Sequence, residues 1–506
     1  MNILEGTATK ATARSAIKNL RWYICGLLFF ATTINYLDRQ TMGVLNPILK
    51  KDIGWDDASY GWINFAFQLA YAIMFGVAGR LLDKFGVRLG MIWAVIVWSF
   101  AAISHAFARS ALGFSISRFA LGLGEAANFP ACIKAVAEWY PKRERALATG
   151  IFNAGSNIGI IIAAVVIIPI ATKWHWQSAF ILTGVSGFFW LFLWVRFYRP
   201  PEEHPNLEPA ELDIIRSDNE APEAPMQIPW SSLLRYRQAW AFLLGKMMTD
   251  PVWWFYLTWL PTYLVKERSM TPKLAAWLTV IPFVAADFGS IGGGWLSGFF
   301  MKRGWPVGRA RFTALAIAAV CMPGAIWAVL SHELAVALTL ISLATAAHQA
   351  WSANLFTIAS DMFPKKVVGS VVGLGGMAGA IGGMFMQLIA GGLLQSLGTY
   401  VPLFIIAGVM HPLALGAISI FAGKDFTPAN LDQGPAERAQ RNLSRAGGAV
   451  TAIGAALVAL VLLNWPLLTS RSMSAAVQGL TASIGVALLG VALLYASRGG
   501  RAPAAA

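Results

Sequence analysis

The sequence predicts an all-α polytopic membrane protein, and three observations lead to that prediction. Of the 506 residues, 57% are hydrophobic and only 13% are charged, which is about half the charged fraction of a typical soluble domain. Several apolar runs exceed the roughly 20 residues that a helix needs to cross a bilayer. The runs are too long and too continuous to be the alternating strands of a membrane barrel, so the spans are expected to be helices.

The distribution of charge indicates topology rather than a charged partner. The formal net charge is +14, but Lys and Arg cluster in short loops on one side of the predicted spans. That pattern is typical of cytoplasmic loops, so we expect both termini in the cytoplasm and no nucleic-acid partner. The three cysteines (Cys25, Cys132 and Cys321) lie in apolar runs without disulfide or metal spacing, and we interpret them as packing residues. We expect no metal and no cofactor.

The first part of the chain is predicted to be a cytoplasmic segment (1–21) followed by a six-helix bundle (22–198). The basic start leads directly into a full-length span and shows no cleavable signal pattern. The first two spans cover about 22–48 and 60–82. The third follows the next loop and ends at about 107, and the fourth lies in the apolar run 111–137. The loop at 79–90 is charged and tight. Gly79 and Gly86 allow the turn, Asp83 can pair at a helix end, and Arg88 holds the loop in the cytoplasm.

The rest of the chain is predicted to be a linker, a second bundle and an appended pair of spans. Residues 199–237 are polar and form the linker, and residues 238–422 form a second six-helix bundle. After a basic linker at 423–446, two apolar runs predict an extra transmembrane hairpin at 447–497. A cytoplasmic tail at 498–506 ends the chain.

The two bundles repeat each other weakly. A single constant offset in the numbering aligns Glu138 with Asp361, Pro141 with Pro364, Gly150 with Gly373, and Gly159 with Gly382. Internal repeats of this kind are found in transporters whose binding site lies at mid-membrane between the two halves. We therefore expect two parallel bundles related by a pseudo-two-fold axis.

Charged residues within the spans are the strongest candidates for a functional site. Arg118 and Glu125 are seven residues apart, which places them on one helix face about 10 Å apart along the axis. In the first span, Asp38 and Arg39 are adjacent and point about 100° apart. Ionisable groups at this depth are costly, so they are expected to face a cavity or a partner. Alternatively, Arg118 and Glu125 form a purely structural ion pair within the membrane and have no role in a functional site.

Other polar residues at membrane depth extend the candidate site. Asn153 and Asn157 form an i, i+4 pair on one face, and Gln349 and Asn354 lie in the tenth span. Asp287 is either a second proton site or a structural pair between bundles. His348 either titrates or packs as a hydrogen-bonded histidine.

Five stretches together resemble one family. They are GRLLDKFGVR (79–88), NYLDR (35–39), RFALGLGEAANFPA (118–131), EWYPKRERALATGIFNAGSNIG (138–159) and HQAWSANLFTIASDMFP (348–364). The first resembles the signature loop of the major facilitator superfamily. The set resembles the anion:cation symporter family of that superfamily, in its hexuronate-transporter-like branch, over about residues 20–422.

The resemblance implies a fold, a function and residue roles. It implies the major facilitator fold and proton-coupled import of a sugar acid, most closely galacturonate or glucuronate, across a bacterial inner membrane by a functional monomer in the lipid bilayer. It assigns proton coupling to Asp38 and Glu125, and the substrate carboxylate or its charge network to Arg39 and Arg118. It places Tyr36 and Tyr71 against the sugar.

The residues themselves are compatible with these roles. Arginine gives a bidentate fork for a carboxylate, and a carboxyl group near an arginine can take up and release H⁺ as the pair rearranges. Amide and aromatic side chains suit sugar hydroxyls, which adds Tyr71, Asn153, Asn157, Gln349 and Asn354 to the candidate binding residues. Gly79, Asp83, Gly86 and Arg88 are assigned to gating structure.

Three functions stay open on the sequence. The first is a symporter of hexuronates or of another organic anion such as an aldonate. The second is a fourteen-span drug exporter, although such exporters carry the extra pair of spans centrally. The third is a non-transporting sensor. No catalytic motif of the metalloprotease, serine hydrolase or phosphate-binding type is present, so we expect no enzymatic activity.

Overall fold

The described residues form an all-helical protein. A computed structural model describes residues 17–55, 57–218, 230–423 and 426–429. The first long helices are α1 (Leu20–Ile53), α2 (Asp57–Ser104), α3 (Ala111–Glu125), α4 (Asn128–Trp139), α5 (Lys142–Trp174) and α6 (Trp176–Phe197). Two short helices follow, α7 (Pro209–Ile215) and α8 (Trp230–Leu233). The remaining helices are α9 (Arg237–Lys266), α10 (Pro272–Lys302), α11 (Val307–Cys321), α12 (Gly324–Leu330), α13 (Leu334–Met362), α14 (Lys365–Leu397) and α15 (Val401–Ala422).

The observed helices agree with the predicted loop at 79–90 and differ from the predicted fourth span. A Cβ atom on Gly90 would lie 3.9 Å from the Cα of Leu82, so the chain turns back between the second and third predicted spans. The range of α2 therefore covers two helices that meet at Gly86, where φ is 80° and ψ is 162°. That backbone conformation is readily adopted only by glycine. The fourth predicted span is broken between α3 and α4. Pro130 has no N–H to donate to the Ala126 carbonyl four residues earlier, so the helix is interrupted there.

Large apolar side chains are exposed on the exterior, whereas several charged side chains of the long helices are buried. By length and composition, seven helical segments in the described part of the chain are able to cross a membrane. Large apolar side chains such as Phe288, Phe192 and Trp93 are at least 66% exposed, whereas Glu125 and Arg311 are fully buried. Charge is costly in hydrocarbon and apolar surface is not, so this distribution is that of a protein surrounded by lipid.

The helix bounds follow the repeat seen in the sequence. Helices α5 and α14 are each 33 residues long. They begin at Lys142 and Lys365 and end at Trp174 and Leu397, so both ends are related by the offset that aligns the two halves of the sequence. Each is preceded by a proline, Pro141 and Pro364. We call α1–α6 the N-terminal helix group and α9–α15 the C-terminal helix group. The end where α5 and α14 begin, with Lys142, Arg143, Lys365 and Lys366, is called the basic end.

Glycine contacts join the two helix groups in a repeated way. Helix α14 packs on α2, and α5 packs on α10. A Cβ atom on Gly79 of α2 would overlap the carbonyl of Gly369, and one on Gly294 of α10 would overlap the carbonyl of Ala146. Because Gly369 and Ala146 are related by the same offset, the two contacts use equivalent positions on α14 and α5. Glycine allows these backbones to approach closely.

The close approach at Gly294 leads to a stability prediction. Gly294→Ala is expected to destabilise the protein by about 1–3 kcal/mol, because the methyl group must displace the backbone of α5. Gly292→Ala on the same helix is the matched control, since no described atom lies within 4 Å of its added Cβ. The control is expected to be neutral or slightly stabilising. Denaturant unfolding in detergent measures both, and equal effects would contradict the contact.

The predicted linker after α6 contacts the start of α1. Glu211 of α7 accepts hydrogen bonds from the backbone N–H groups of Leu20 at 2.8 Å and Arg21 at 3.1 Å. It also pairs with the Arg21 guanidinium at 2.8 Å. The first N–H groups of a helix have no partner within the helix, so this carboxylate caps α1 and fixes the linker against the N-terminal helix group.

The remaining predicted segments fall outside the described residues. These are most of the N-terminal segment, the middle of the first linker, and all of the chain after Ala429. The extra hairpin at 447–497 and the tail at 498–506 therefore stay predictions.

Candidate binding cavity

A cavity lies between the two helix groups. Its volume is about 80 Å³, which is smaller than the roughly 300–1,000 Å³ of typical small-molecule sites. The N-terminal helix group supplies Tyr36, Arg39, Tyr71, Phe75, Phe129, Asn153 and Ser156. The C-terminal helix group supplies Lys246, Asp250, Trp253, Trp254, His348, Gln349, Ser352, Phe356, Gly376 and Ala380. Both halves of the chain therefore contribute charged, amide and aromatic groups to one space.

Arg39 is the cation on the N-terminal wall of the cavity. Its Nε donates to Glu125 Oε2 at 3.2 Å, and Nη2 donates to Asn35 Oδ1 at 3.3 Å. The guanidinium carbon lies 4.6 Å from the ring centroids of both Tyr36 and Tyr71. Aromatic faces attract a cation, so the two tyrosines hold the guanidinium at the cavity surface. Glu125 lies behind it and is fully buried.

Arg118 does not pair with Glu125, although the two residues were predicted to share a helix face. Its Nη2 donates to the backbone carbonyl of Arg39 at 3.0 Å, while Glu125 pairs with Arg39 at 3.2 Å. Residues seven apart share a face, but their backbones are about 10 Å apart along the helix. The long side chain of Arg118 therefore reaches α1 instead of Glu125. Arg118 does not line the cavity.

Asp38 is buried without a hydrogen-bond partner among the described residues. Only 3% of it is exposed, and neither of its carboxyl oxygens accepts a hydrogen bond. The Thr183 hydroxyl lies near Asp38 without hydrogen-bonding geometry, and Glu125 and Arg118 are close enough to act on it electrostatically. Arg39 lines the cavity and Asp38 does not, as expected for adjacent residues about 100° apart on a helix. One oxygen of Glu125, Oε1, is also unpartnered in the described chain.

The predicted amide residues divide into two sets. Asn153 lines the cavity and bridges the helix groups by donating to Gln349 Oε1 at 2.8 Å and Ser290 Oγ at 3.2 Å. Asn157 donates to Asp287 Oδ1 at 2.7 Å, which is the structural pairing between bundles considered for Asp287. Asn354 donates to the Gly293 carbonyl at 2.8 Å and packs α13 against α10. Asn157 and Asn354 lie away from the cavity surface.

The C-terminal wall contains a second cation that the sequence analysis did not select. Lys246 Nζ pairs with Asp250 Oδ2 at 2.8 Å and lies 4.0 Å from the ring centroid of Phe356. Both charged residues lie on α9, four residues apart. Opposite charges on one helix face within an apolar run are the signal that selected Arg118 and Glu125, and the i, i+4 spacing of Lys246 and Asp250 gives that signal too, so the pair was detectable.

The cavity is closed toward the basic end. Phe129 of α4 and Phe356 of α13 stack across the two helix groups with centroids 5.6 Å apart, and they form the floor. Below them, Asp83 accepts from Lys134 Nζ at 2.8 Å and from the N–H groups of Gly369 at 3.1 Å and Ser370 at 2.6 Å. The predicted loop acid thus holds α2 and α4 to α14.

A second set of charges closes the same end. Arg311 pairs with Asp361 at 2.9 Å and donates to the Lys142 carbonyl of the other helix group at 2.7 Å. Arg145 donates to the Ser360 carbonyl at 2.8 Å. Of the other loop residues, Gly86 provides the bend in α2, and Arg88 donates to the Val195 carbonyl at 3.1 Å.

Comparison with known proteins identifies the family. The family model described as Major Facilitator Superfamily matches residues 28–387. The chain belongs to the major facilitator superfamily. It is 33% identical over 417 residues to the hexuronate transporter of Escherichia coli strain K12, covering 82% of this chain and 96% of that protein. It is 34% identical over 290 residues to the galacturonate transporter of Dickeya chrysanthemi, covering 56% of this chain and 84% of that protein.

A solved structure supports the fold independently. The crystal structure of the fucose:proton symporter of E. coli matches with a TM-score of 0.60 at 17% identity, covering 80% of this chain and 98% of that one. The predictions of the superfamily and of an all-helical membrane protein are confirmed. As a member of the major facilitator superfamily, the chain is a multi-pass membrane transporter and not an enzyme.

Proposed function

We propose that this transporter is a proton-coupled symporter that imports a hexuronate, galacturonate or glucuronate, by alternating access. The observation that carries the proposal is the buried Arg39–Glu125 pair at the cavity wall, at 3.2 Å, beside the unpartnered Asp38. The names of the relatives in E. coli and D. chrysanthemi support the substrate class.

In this proposal Arg39 binds the substrate carboxylate. Its planar fork suits a carboxylate, and Tyr36 and Tyr71, which hold the guanidinium, also line the cavity beside it. Asn153 and Gln349 supply amides for the hydroxyl groups from the opposite side. Lys246 adds positive charge on the C-terminal wall, where Asp250 balances it.

Competition for Arg39 couples the proton to the substrate. When the substrate carboxylate takes Arg39, Glu125 loses its cation partner in a fully buried position. A buried carboxylate without a partner is costly, whereas the neutral acid is much less so. Glu125 therefore takes up one proton as the substrate binds and releases it when Arg39 returns. Asp38, already without a partner, is proposed to carry a proton in the described state.

The arrangement of the chain in the membrane completes the proposal. Two six-helix bundles, residues 22–198 and 238–422, rock about the cavity, and the two extra helices at 447–497 bring the total to fourteen. The basic end and both termini face the cytoplasm, following the positive-inside pattern. The described state is then closed to the cytoplasm, with H⁺ as coupling ion, no other cofactor, and the monomer as functional unit.

Uptake into proteoliposomes tests the proposal. Labelled galacturonate or glucuronate is expected to accumulate when the outside is more acidic, and the accumulation should collapse when a protonophore removes the gradient. Empty liposomes and an aldonate serve as controls. If only the aldonate accumulates, the proposed substrate is an aldonate and not a hexuronate, and the symport mechanism still holds. Ligand binding without flux would favour a sensor, and drug efflux would favour an exporter.

A further inference from the structure

Two buried histidines lie beside the cavity and have no role in the mechanism proposed above. His348 of α13 lines the cavity and is 3% exposed, while His411 of α15 is fully buried behind it. His348 Nδ1 lies 3.0 Å from His411 Nε2. The His348 ring stacks on Trp253, with centroids 5.3 Å apart and planes 8° apart. The stacking and the hydrogen bond fix the orientation of the His348 ring.

The hydrogen bond between the two rings allows two neutral arrangements. If His348 donates from Nδ1, then His411 carries its own hydrogen on Nδ1, which is buried without a partner among the described residues. If His411 donates from Nε2, its Nδ1 is an unpaired acceptor and His348 carries its hydrogen on Nε2. Buried N–H groups without an acceptor are rarer than acceptors without a donor, so the second arrangement is favoured.

The surroundings favour neutral rings. Lys246 acts on His348 as a positive charge, and the carboxylate of Asp250 is already paired with Lys246 at 2.8 Å. The rings of Trp253 and Trp351 cover the two histidines, with Trp351 5.2 Å from His411 between centroids. A further positive charge in this apolar setting would be costly.

We propose that His411 holds His348 in the Nε2–H tautomer, so that His348 donates a hydrogen bond from Nε2 to a hydroxyl oxygen of the sugar acid. His348 is then a specificity-determining residue, and His411 is a positioning residue that acts through it. The adjacent Gln349 and the facing Asn153 line the same part of the cavity, which makes this region the hydroxyl-reading side. The identity of the ligand rests on the proposed function, whereas the tautomer does not.

The tautomer is measured first by ¹⁵N NMR of the full chain, labelled at histidine and reconstituted in lipid. The His348 signal, identified by its loss in His348→Gln, is expected to show a protonated Nε2 and a hydrogen-bonded, unprotonated Nδ1. In His411→Phe, which keeps a ring but removes the donor, the Nδ1–H tautomer should appear. A wild-type His348 protonated on Nδ1 would overturn the proposal.

Binding measurements test whether the fixed His348 tautomer contributes to substrate affinity and specificity. Galacturonate and glucuronate differ in the orientation of one hydroxyl group, so calorimetric titration of each gives an affinity ratio. His411→Phe is expected to weaken binding of the preferred sugar acid about tenfold and to lower the ratio. His411→Gln, whose amide N–H can still donate to His348 Nδ1, should restore both. His332→Phe, at an exposed histidine, is the control.

The outcomes separate this inference from the proposed function. A loss of stability in His411→Phe with an unchanged affinity ratio in both His411 variants would show a structural role only and reject the inference. A wild type that binds neither sugar acid rejects the proposed substrate. In that case the NMR result still supports the histidine arrangement or rejects it.

Discussion

Glu125→Gln is expected to abolish proton-driven accumulation while leaving substrate exchange intact. The glutamine amide cannot take up or release a proton, but its oxygen can still accept the hydrogen bond that Arg39 gives Glu125 at 3.2 Å. With one proton per substrate anion, a pH gradient of one unit supports about tenfold accumulation in the wild type. The variant is expected to equilibrate at a ratio of about one. Proteoliposome uptake measures accumulation, and counterflow without a gradient measures exchange.

A control separates coupling from general damage. Glu333→Gln changes an exposed glutamate at the start of α13 and should accumulate substrate like the wild type. Full accumulation by Glu125→Gln would assign the coupling proton to another group, with Asp38 as the first candidate. Loss of exchange as well would place Glu125 in substrate binding and not in coupling.

Arg39→Lys is expected to weaken substrate binding about 100-fold. Two hydrogen bonds from a charged fork contribute roughly 3 kcal/mol together, which corresponds to that factor. Lysine keeps the charge but loses the planar fork and the stacking, so Tyr36 and Tyr71 no longer position it. Isothermal titration with the preferred hexuronate measures the change. Arg109→Lys is the control, because Arg109 lies away from the cavity and donates to the carbonyls of Ala106 and Ala108, both at 2.9 Å.

A double variant separates lost substrate binding from lost stability. Replacing Arg39 also disturbs its pairing with the buried Glu125, which by itself destabilises the protein. The double variant Arg39→Gln with Glu125→Gln removes both charges, so it should recover stability and still fail to bind substrate. Binding by Arg39→Lys within about threefold of the wild type would show that the fork is not required, and would direct attention to Lys246.

The sequence predicted many of the cavity residues, because polar side chains within a membrane span are costly and therefore need a partner. Tyr36, Arg39, Tyr71, Asn153 and Gln349 all line the cavity, and each is a polar or aromatic side chain within a predicted span. Asn157 and Asn354 satisfied the same criterion but pack helices together instead. Side-chain type identifies residues that need a polar partner, but it does not say whether the partner is a ligand or a neighbouring helix.

Lys246 was detectable from its spacing of four residues from Asp250, with which it pairs, but it was not among the predicted site residues. Other features required the packed structure. The contact of His348 with His411 joins residues 63 positions apart, and no local pattern indicates it. The break before Pro130 depends on a single residue that hydropathy averages over, so the predicted limits of the fourth span differ there.

The sequence by itself determined the helical class, the order of the spans and the repeat. Hydropathy and spacing are local properties, and the constant offset between the two halves reappears in the bounds of α5 and α14. Tertiary structure alone decided that Glu125 pairs with Arg39 and not with Arg118, and that Asp38 is left without a partner. Those outcomes depend on which faces of α1 and α3 meet, and this is set by the close packing of helices that are distant in the chain.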